Sequence, residues 1–381
     1  APLGLFILFS FAIPILDMVT RSFWSPEIAN VLPRTAEALE EWDGEGTPGE
    51  AAYAALAKDI REAAENRNLG KASARINYVM PGARSLFSKT RRGIEDVSAP
   101  YKEALIAVDE DWGSGEVWRV MKRESDPVTL SYYLQAVDMK YSPDGEIVAV
   151  PGYMQIYQTL FWRTLWMSAL ITFLTILLGF PVSYLLANLP LRISNLLMIM
   201  VLLPFWTSLL VRTSSWIVIL QSEGVLNDIL VVLGVVADDN RPQMIYNKTG
   251  TIVGMTHILL PFMILPLYSV MKGIPPSYLR AARSLGANPV VAFVRVYIPQ
   301  TVPGIGAGSI LVFILSIGYY ITPALIGGSS GQLISNFIAY HMQESLNWHL
   351  AAALGSILLF VVLGLYWTYN KIVGVDQMKL G

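Results

Sequence analysis

Residues 275–305 read PPSYLRAARSLGANPVVAFVRVYIPQTVPGI. The stretch lies between two strongly apolar runs. It carries Arg280, Arg283 and Arg295 and has no acidic residue. Its punctuation is that of a folded object. Pro275 and Pro276 stop the helix before them, and Ser277 is placed to cap a new one, its hydroxyl accepting a free backbone N–H. YLRAARSL then makes two turns of helix. Gly286 supplies the left-handed residue that ends it. Asn288 caps a second helix, with Pro289 at the first position, where no N–H is needed. VVAFVRVYI carries that helix as far as Pro299. The spacing predicts helix, glycine turn, helix. Ala281 and Ala282 make the first helix thin at its centre, suited to a groove on another protein.

The runs on either side are membrane spans by length. A hydrocarbon core of ~30 Å takes about 20 apolar residues as a helix. Six segments qualify: 3–19, 165–189, 194–220, 249–271, 304–326 and 350–369. The chain opens on an apolar run with no basic leader and no small-residue cleavage site, which reads as a span and not a signal peptide. Overall the 381 residues are 54% hydrophobic and 15% charged, with mean hydropathy +0.48. A soluble domain is nearer ~25% charged. The charges are concentrated. Residues 26–160 hold 22 of the 29 acids and 15 of the 27 bases, so a polar block of net −7 interrupts a membrane part of net +5. There is no cysteine, which excludes disulfides and thiolate metal sites.

Short-loop lysines and arginines set the orientation. With the N-terminus in the cytoplasm, the inner loops and tail hold Arg192, Lys272, Arg280, Arg283, Arg295, Lys371 and Lys379. The short outer loops hold Arg241 and Lys248, and Arg21 and Arg163 flank the polar block. That bias places 275–305 inside and the block outside. Within the block, TPGEAAYAALAKDIREAAEN (47–66) reads as a helix with Thr47 and Pro48 as cap and first turn. Its apolar face is Ala52, Leu56 and Ile60. VSAPYKEALIAVDEDW (97–112) reads as a second helix, and GEIVAVPGY (145–153) as a short strand.

AARSLGANPVVAFVRVYIPQTVPGI resembles the EAA loop of ABC importer permeases, with Ala281, Ala282, Gly286, Ala287, Phe293, Val296 and Pro299 matching. Arg280 stands where the family keeps an acid. LLPFWTSLLVRTSSWIVILQSEGVLN (202–227), LLGFPVSYLLANLP (177–190) and ITPALIGGSSGQLISNFI (321–338) are similar to the spermidine/putrescine group of that family. The resemblance covers about 150–375 and the first span. It leaves 26–150 uncovered, as an insertion specific to this branch. It implies a coupling loop, 274–303, that inserts into a cleft of an ATP-binding subunit. Ser277, Leu279, Arg280, Ala281, Ala282, Gly286, Ala287, Phe293 and Pro299 are then the coupling residues. It also implies two ATPase subunits, a second permease chain and a periplasmic solute-binding protein. ATP and magnesium would sit on the ATPase. This chain has no P-loop, and no cofactor of its own or nucleic-acid partner is expected.

Several other residues stand out. Arg212 is an ionisable group inside a span, by default a functional position or a snorkelling one. Trp206, Thr207, Trp216, Tyr319 and Tyr320 accompany it as a candidate solute lining, the ring faces being attractive to ammonium groups. The competing reading of the aromatics is an interfacial belt. Asp17, Glu223, Asp228, Asp238, Asp239 and Glu344 fall at outer span ends, where acids concentrate a cation or form a solvated rim. No acid occurs from Thr249 to Gln343. His257, His341 and His349 lack metal-ligand spacing, and His257 is expected to hydrogen-bond a neighbouring helix. Gly327–Gly331 spells G-x-S-x-G without the strand, acid and histidine of a hydrolase, and reads as a flexible re-entry turn. Gly304 and Gly308 permit close helix packing, which fits permeases that pair.

The expectation is an all-α polytopic membrane protein. Residues 1–25 form the first span, 26–155 a periplasmic insertion, and 156–381 the permease core of a polyamine-type importer in a bacterial inner membrane. A membrane receptor with an outer ligand domain, or a stand-alone secondary transporter, remain alternatives at this point. The first would have no ATPase partner. The second would show inverted repeats.

Overall fold

The computed structural model describes residues 2–142 and 144–373; Lys379 lies outside them. Two compact units emerge. One comprises Ala1–Gln158 with Glu344–Ser356, the other Thr159–Gln343 with Ile357–Gly381. Among the described residues, six helices are long and apolar enough to cross a membrane: Pro2–Arg21, Tyr157–Asn188, Leu209–Val232, Lys248–Lys272, Pro289–Gly318 and Trp348–Lys371.

In the first unit the polar block folds around its own core. Helix Glu50–Glu65 has Gly49 in extended conformation at its N-cap, so Thr47 is not the cap. Thr47 instead accepts a hydrogen bond from Lys102 Nζ at 2.8 Å. The predicted apolar face is buried, with Ala52, Leu56 and Ile60 joined by Tyr53 and Ala57. The second predicted helix is Tyr101–Val108, followed by a 3₁₀ turn, Glu110–Gly113. Trp112 and Trp118 lie at the centre, ring centroids 5.5 Å apart. Their polar tips are satisfied: Trp112 Nε1 donates to Thr90 Oγ1 at 2.8 Å and Trp118 Nε1 to the Trp112 carbonyl at 3.0 Å. A buried indole N–H without an acceptor costs about 1–3 kcal/mol, so these bonds fix the packing. The predicted strand, Ile147–Ala149, pairs antiparallel with Met139–Tyr141. Beyond it the Asp138 carboxylate accepts the backbone N–H groups of Ile156, Tyr157 and Gln158 at 2.7–3.1 Å. It thereby caps the first turn of the long helix Tyr157–Asn188 from outside.

The second unit is a helix bundle. Lys248–Lys272 is its most enclosed span. Pro289–Gly318 packs on it through Gly304 and Gly308, where an added Cβ would come within 3.2 Å of Leu267 Cα and 3.4 Å of Met263 Cα. These glycines therefore serve contact within the chain. Two predicted spans are broken. Segment 194–220 becomes Leu191–Leu202, a 3₁₀ turn Leu203–Trp206, and a fresh helix from Leu209. Pro204 cannot donate to the ladder, and Thr207 and Ser208 are extended. Segment 304–326 stops at Gly318 and resumes at Ile321.

Candidate functional site

The 275–305 stretch forms two helices about a left-handed glycine. Pro276–Ser284 begins two residues earlier than predicted, with Pro275 at the N-cap. Ser277 thus lies inside the first turn and makes no cap bond. Gly286 has φ +91, a conformation that costs an L-residue roughly 1–2 kcal/mol. Asn288 Oδ1 accepts the Val291 N–H at 2.8 Å with Pro289 following, as its position requires. The second helix does not end at Pro299. A π-turn, Phe293–Tyr297, inserts one extra residue just before it, and the helix runs on to Gly318. The wide turn shifts the register where proline lacks an N–H.

The loop has an outer and an inner side. Ser277, Arg280, Ala281, Gly286 and Pro299 are exposed, and Ala282 and Ala287 half-buried. Leu285 and Val290, which sequence reasoning passed over, are 89% and 70% exposed. The signal available was two large apolar residues flanking a turn with no span to bury them. Leu279 and Phe293 face the bundle. The Phe293 ring meets Tyr184 edge-on at 5.4 Å and stacks on Tyr297 at 5.3 Å. Lys272 Nζ donates to the Ala187 carbonyl at 3.2 Å, tying the same region to Tyr157–Asn188. Exposed apolar residues and arginines thus sit on a loop braced by aromatic contacts to the spans.

The path candidates lie elsewhere in the bundle. Trp216 Nε1 donates to His257 Nδ1 at 3.2 Å, the cross-helix bond expected of His257. Arg212 is within electrostatic reach of His257 and Tyr319. Its Nη2 leans on the Thr207 carbonyl at 3.4 Å, while its Nε is buried without an acceptor. Thr213 and Thr322 hydroxyls meet at 3.3 Å, linking the helices that restart after the two breaks. Their burial gave no signal in sequence, since threonine in a span reads as ordinary. Arg212, Trp216 and Tyr319 are brought together; Trp206 is 72% exposed and stands apart. Tyr320 is half-exposed, its carbonyl taken by Asn336 Nδ2 at 2.8 Å.

The acids expected at the mouth are not all free. Arg241 holds Asp228 at 2.8 Å and Asp238 at 2.7 Å, and Asp17 pairs with Arg21 at 2.8 Å. Glu223, Asp239 and Glu344 are exposed. Gly327–Gly331 is no loose turn. A Cβ on Gly328 would meet the Tyr246 carbonyl at 2.2 Å and one on Gly331 the Asn247 carbonyl at 2.6 Å. The glycines allow a short helix to press against neighbouring backbone, and no strand precedes Ser329.

A braced, basic helix–glycine–helix between two spans is the arrangement the resemblance required. Residues 179–370 match the family described as "Binding-protein-dependent transport system inner membrane component". The chain belongs to this family. It is a multi-pass permease subunit of an ABC importer, a transport protein and not an enzyme. The spermidine/putrescine transport system permease protein PotB of Salmonella typhimurium is 36% identical over 221 residues, covering 57% of this chain and 76% of that protein. PotB of Escherichia coli is 35% identical over 221 residues, covering 57% and 79%. The inner membrane ABC transporter permease protein YdcU of Escherichia coli is 32% identical over 222 residues, covering 56% and 70%. A crystal structure of a bacterial ABC transporter involved in the import of alginate aligns with TM-score 0.44 and 19% identity, over 58% of this chain and 80% of that one. In this permease, residues 26–155 lie outside the family match.

Proposed function

We propose that this permease forms one half of the translocation path of a polyamine-type importer, carrying a polyamine or a similar small organic solute. The support is the identity to the two PotB proteins, spread over more than half the chain. The loop 274–303 docks in a cleft of an ATPase subunit, with Leu285, Val290, Arg280 and Arg283 facing it. Two such ATPases, which bind ATP and magnesium, a second permease chain and a periplasmic binding protein complete the assembly. The N-terminus is cytoplasmic, and residues 26–155 form a periplasmic domain that helps seat the binding protein or the second permease. ATP-driven closure of the ATPase pair moves the loop. Phe293 and Leu279 pass that motion to the spans, and the path alternates its access. Only contacts that differ between the two states can drive the switch.

Solute contact falls to Arg212, Trp216, Tyr319 and Tyr320, with His257 added by its bond to Trp216. A cation finds aromatic faces here but no carboxylate between Thr249 and Gln343. Acids for a polyamine therefore come from the mouth residues or from the second permease.

The observation that carries the coupling assignment is Gly286 at φ +91 between two exposed apolar residues. Proline at 286 is locked near φ −65° and cannot make the turn. The tagged chain, purified from its native membrane, is expected to bring down an ATPase, and Gly286→Pro to lose it. Recovery of the ATPase with both forms would remove the loop from the coupling role. Uptake of labelled putrescine by the reconstituted importer then tests the solute class.

A further inference from the structure

Away from the transport path, an open cleft of about 460 Å³ lies wholly within the first unit. Its position is fixed by one contact. His349 Nδ1 lies 2.7 Å from the Arg21 carbonyl oxygen, so the end of span Pro2–Arg21 and the start of span Trp348–Lys371 meet on the same membrane face. Trp348 and Leu346, at the rim, are 49% and 66% exposed, as residues at the headgroup level are.

The lining is cationic. Arg21, Lys71, Arg75 and Arg84 contribute four positive charges against one carboxylate, Glu27. Two of the four are committed. Arg21 pairs with Asp17, and buried Arg75 pairs with Glu124. Lys71 and Arg84 are exposed and have no carboxylate partner among the described residues. Glu27 does not answer them, because its oxygens are taken by His349 Nε2 at 2.5 Å and by the Ser25 hydroxyl. The wall also contains two buried donors without an acceptor, Arg75 Nε and Asn347 Nδ2. Unmatched donors and two free cations at a span end describe a receptor for a compact anion with several acceptor oxygens.

We propose that this cleft binds a phosphate group at the membrane surface, with Lys71 and Arg84 meeting its charge. The location at two span ends favours an anionic phospholipid headgroup as the source, and free phosphate offers the same chemistry. A bound headgroup would hold helices Leu69–Val79 and Ala83–Gly93 against the ends of both spans. The assignment rests on the two spans and not on the solute carried.

The full-length chain is reconstituted in phosphatidylcholine nanodiscs, and its preference for spin-labelled phosphatidylglycerol over spin-labelled phosphatidylcholine is measured. Wild type is expected to favour phosphatidylglycerol. Lys71→Gln with Arg84→Gln is expected to lower the preference by up to roughly 30-fold, at one lipid-facing charge contact per residue. Lys58→Gln with Arg92→Gln removes the same charge from exposed positions outside the cleft and is expected to leave it unchanged. In lipid-free neutral detergent, inorganic phosphate is then titrated against chloride at matched ionic strength while the unfolding midpoint is followed. A rise lost only in the cleft variant supports the site with free phosphate as a sufficient ligand. No rise, with the lipid preference intact, assigns the headgroup. Equal retention of both lipids with no phosphate response in wild type overturns the proposal, as does equal loss of preference in the two double variants. Matching midpoints of the variants without ligand establish that both are folded.

Discussion

At the residue scale, Glu27 shows how one half-buried carboxylate makes the first unit sensitive to pH. Burial pushes its carboxyl up. The hydrogen bonds from His349 and Ser25, and the His349 charge, outweigh that and hold it down from an ordinary 4.5 to about 2. A carboxyl with a depressed folded value contributes stability above its unfolded value and loses it as pH falls. The contribution, up to about 3 kcal/mol, is present above pH ~4.5 and lost between there and pH ~2. Glu27→Gln should therefore unfold at a lower temperature than wild type at pH 7, with the two midpoints converging as pH drops through that window. Thermal unfolding in detergent across the window checks this. A constant gap between the two proteins down to the acid limit would show that Glu27 acts through shape and not charge. Gly286 belongs to the same scale: its turn was legible because only glycine enters the left-handed region without strain.

At the element scale, the pairing of Lys248–Lys272 with Pro289–Gly318 is decided by Gly304 and Gly308. A small-residue repeat in a span states that something comes close but not what. The structure gives the partner as Met263 and Leu267 of the same chain. Gly308→Leu would drive its side chain into Met263, whose Sδ already lies within 2.6 Å of where a Cβ would be. Overpacking of this kind costs about 1–3 kcal/mol. The expected outcome is a lower unfolding midpoint of the isolated chain before any partner is added. An unchanged midpoint combined with loss of assembly would transfer the glycines to the interface between permeases. The two broken spans teach a related lesson. Hydropathy sums over a window and does not register a turn at Thr207–Ser208 or at Tyr319–Tyr320, because the residues on both sides remain apolar.

At the scale of the whole molecule, the polar block has a core of its own around Trp112, Trp118 and Tyr53, so it is more than a spacer. If it seats the binding protein, deletion of residues 30–148 should abolish capture of that protein while the ATPase still co-purifies through the loop. Capture and uptake that both persist would leave the block without a docking role. The acids expected at the mouth also change meaning at this scale. Asp228 and Asp238 share Arg241, so their charge is already met before any solute arrives. Such exposed pairs are worth little in stability, but they lower the field available to draw in a cation.

The membrane character, six apolar segments long enough to cross, the glycine turn at 286 with its Asn288–Pro289 cap, and the permease family were all legible in residue order alone. Each is a local matter of hydropathy, backbone freedom or the spacing of a motif, and local properties are written in order along the chain. Long-range packing, by contrast, decided that Phe293 braces the loop on Tyr184, that Trp216 bonds His257 beside Arg212, and that Thr213 meets Thr322 across two helix breaks. It also decided that the Glu27–His349 contact closes one wall of a cationic cleft. These contacts join residues tens to hundreds of positions apart. They depend on the rotation of one helix against another, which apolar periodicity inside a uniformly apolar span does not encode.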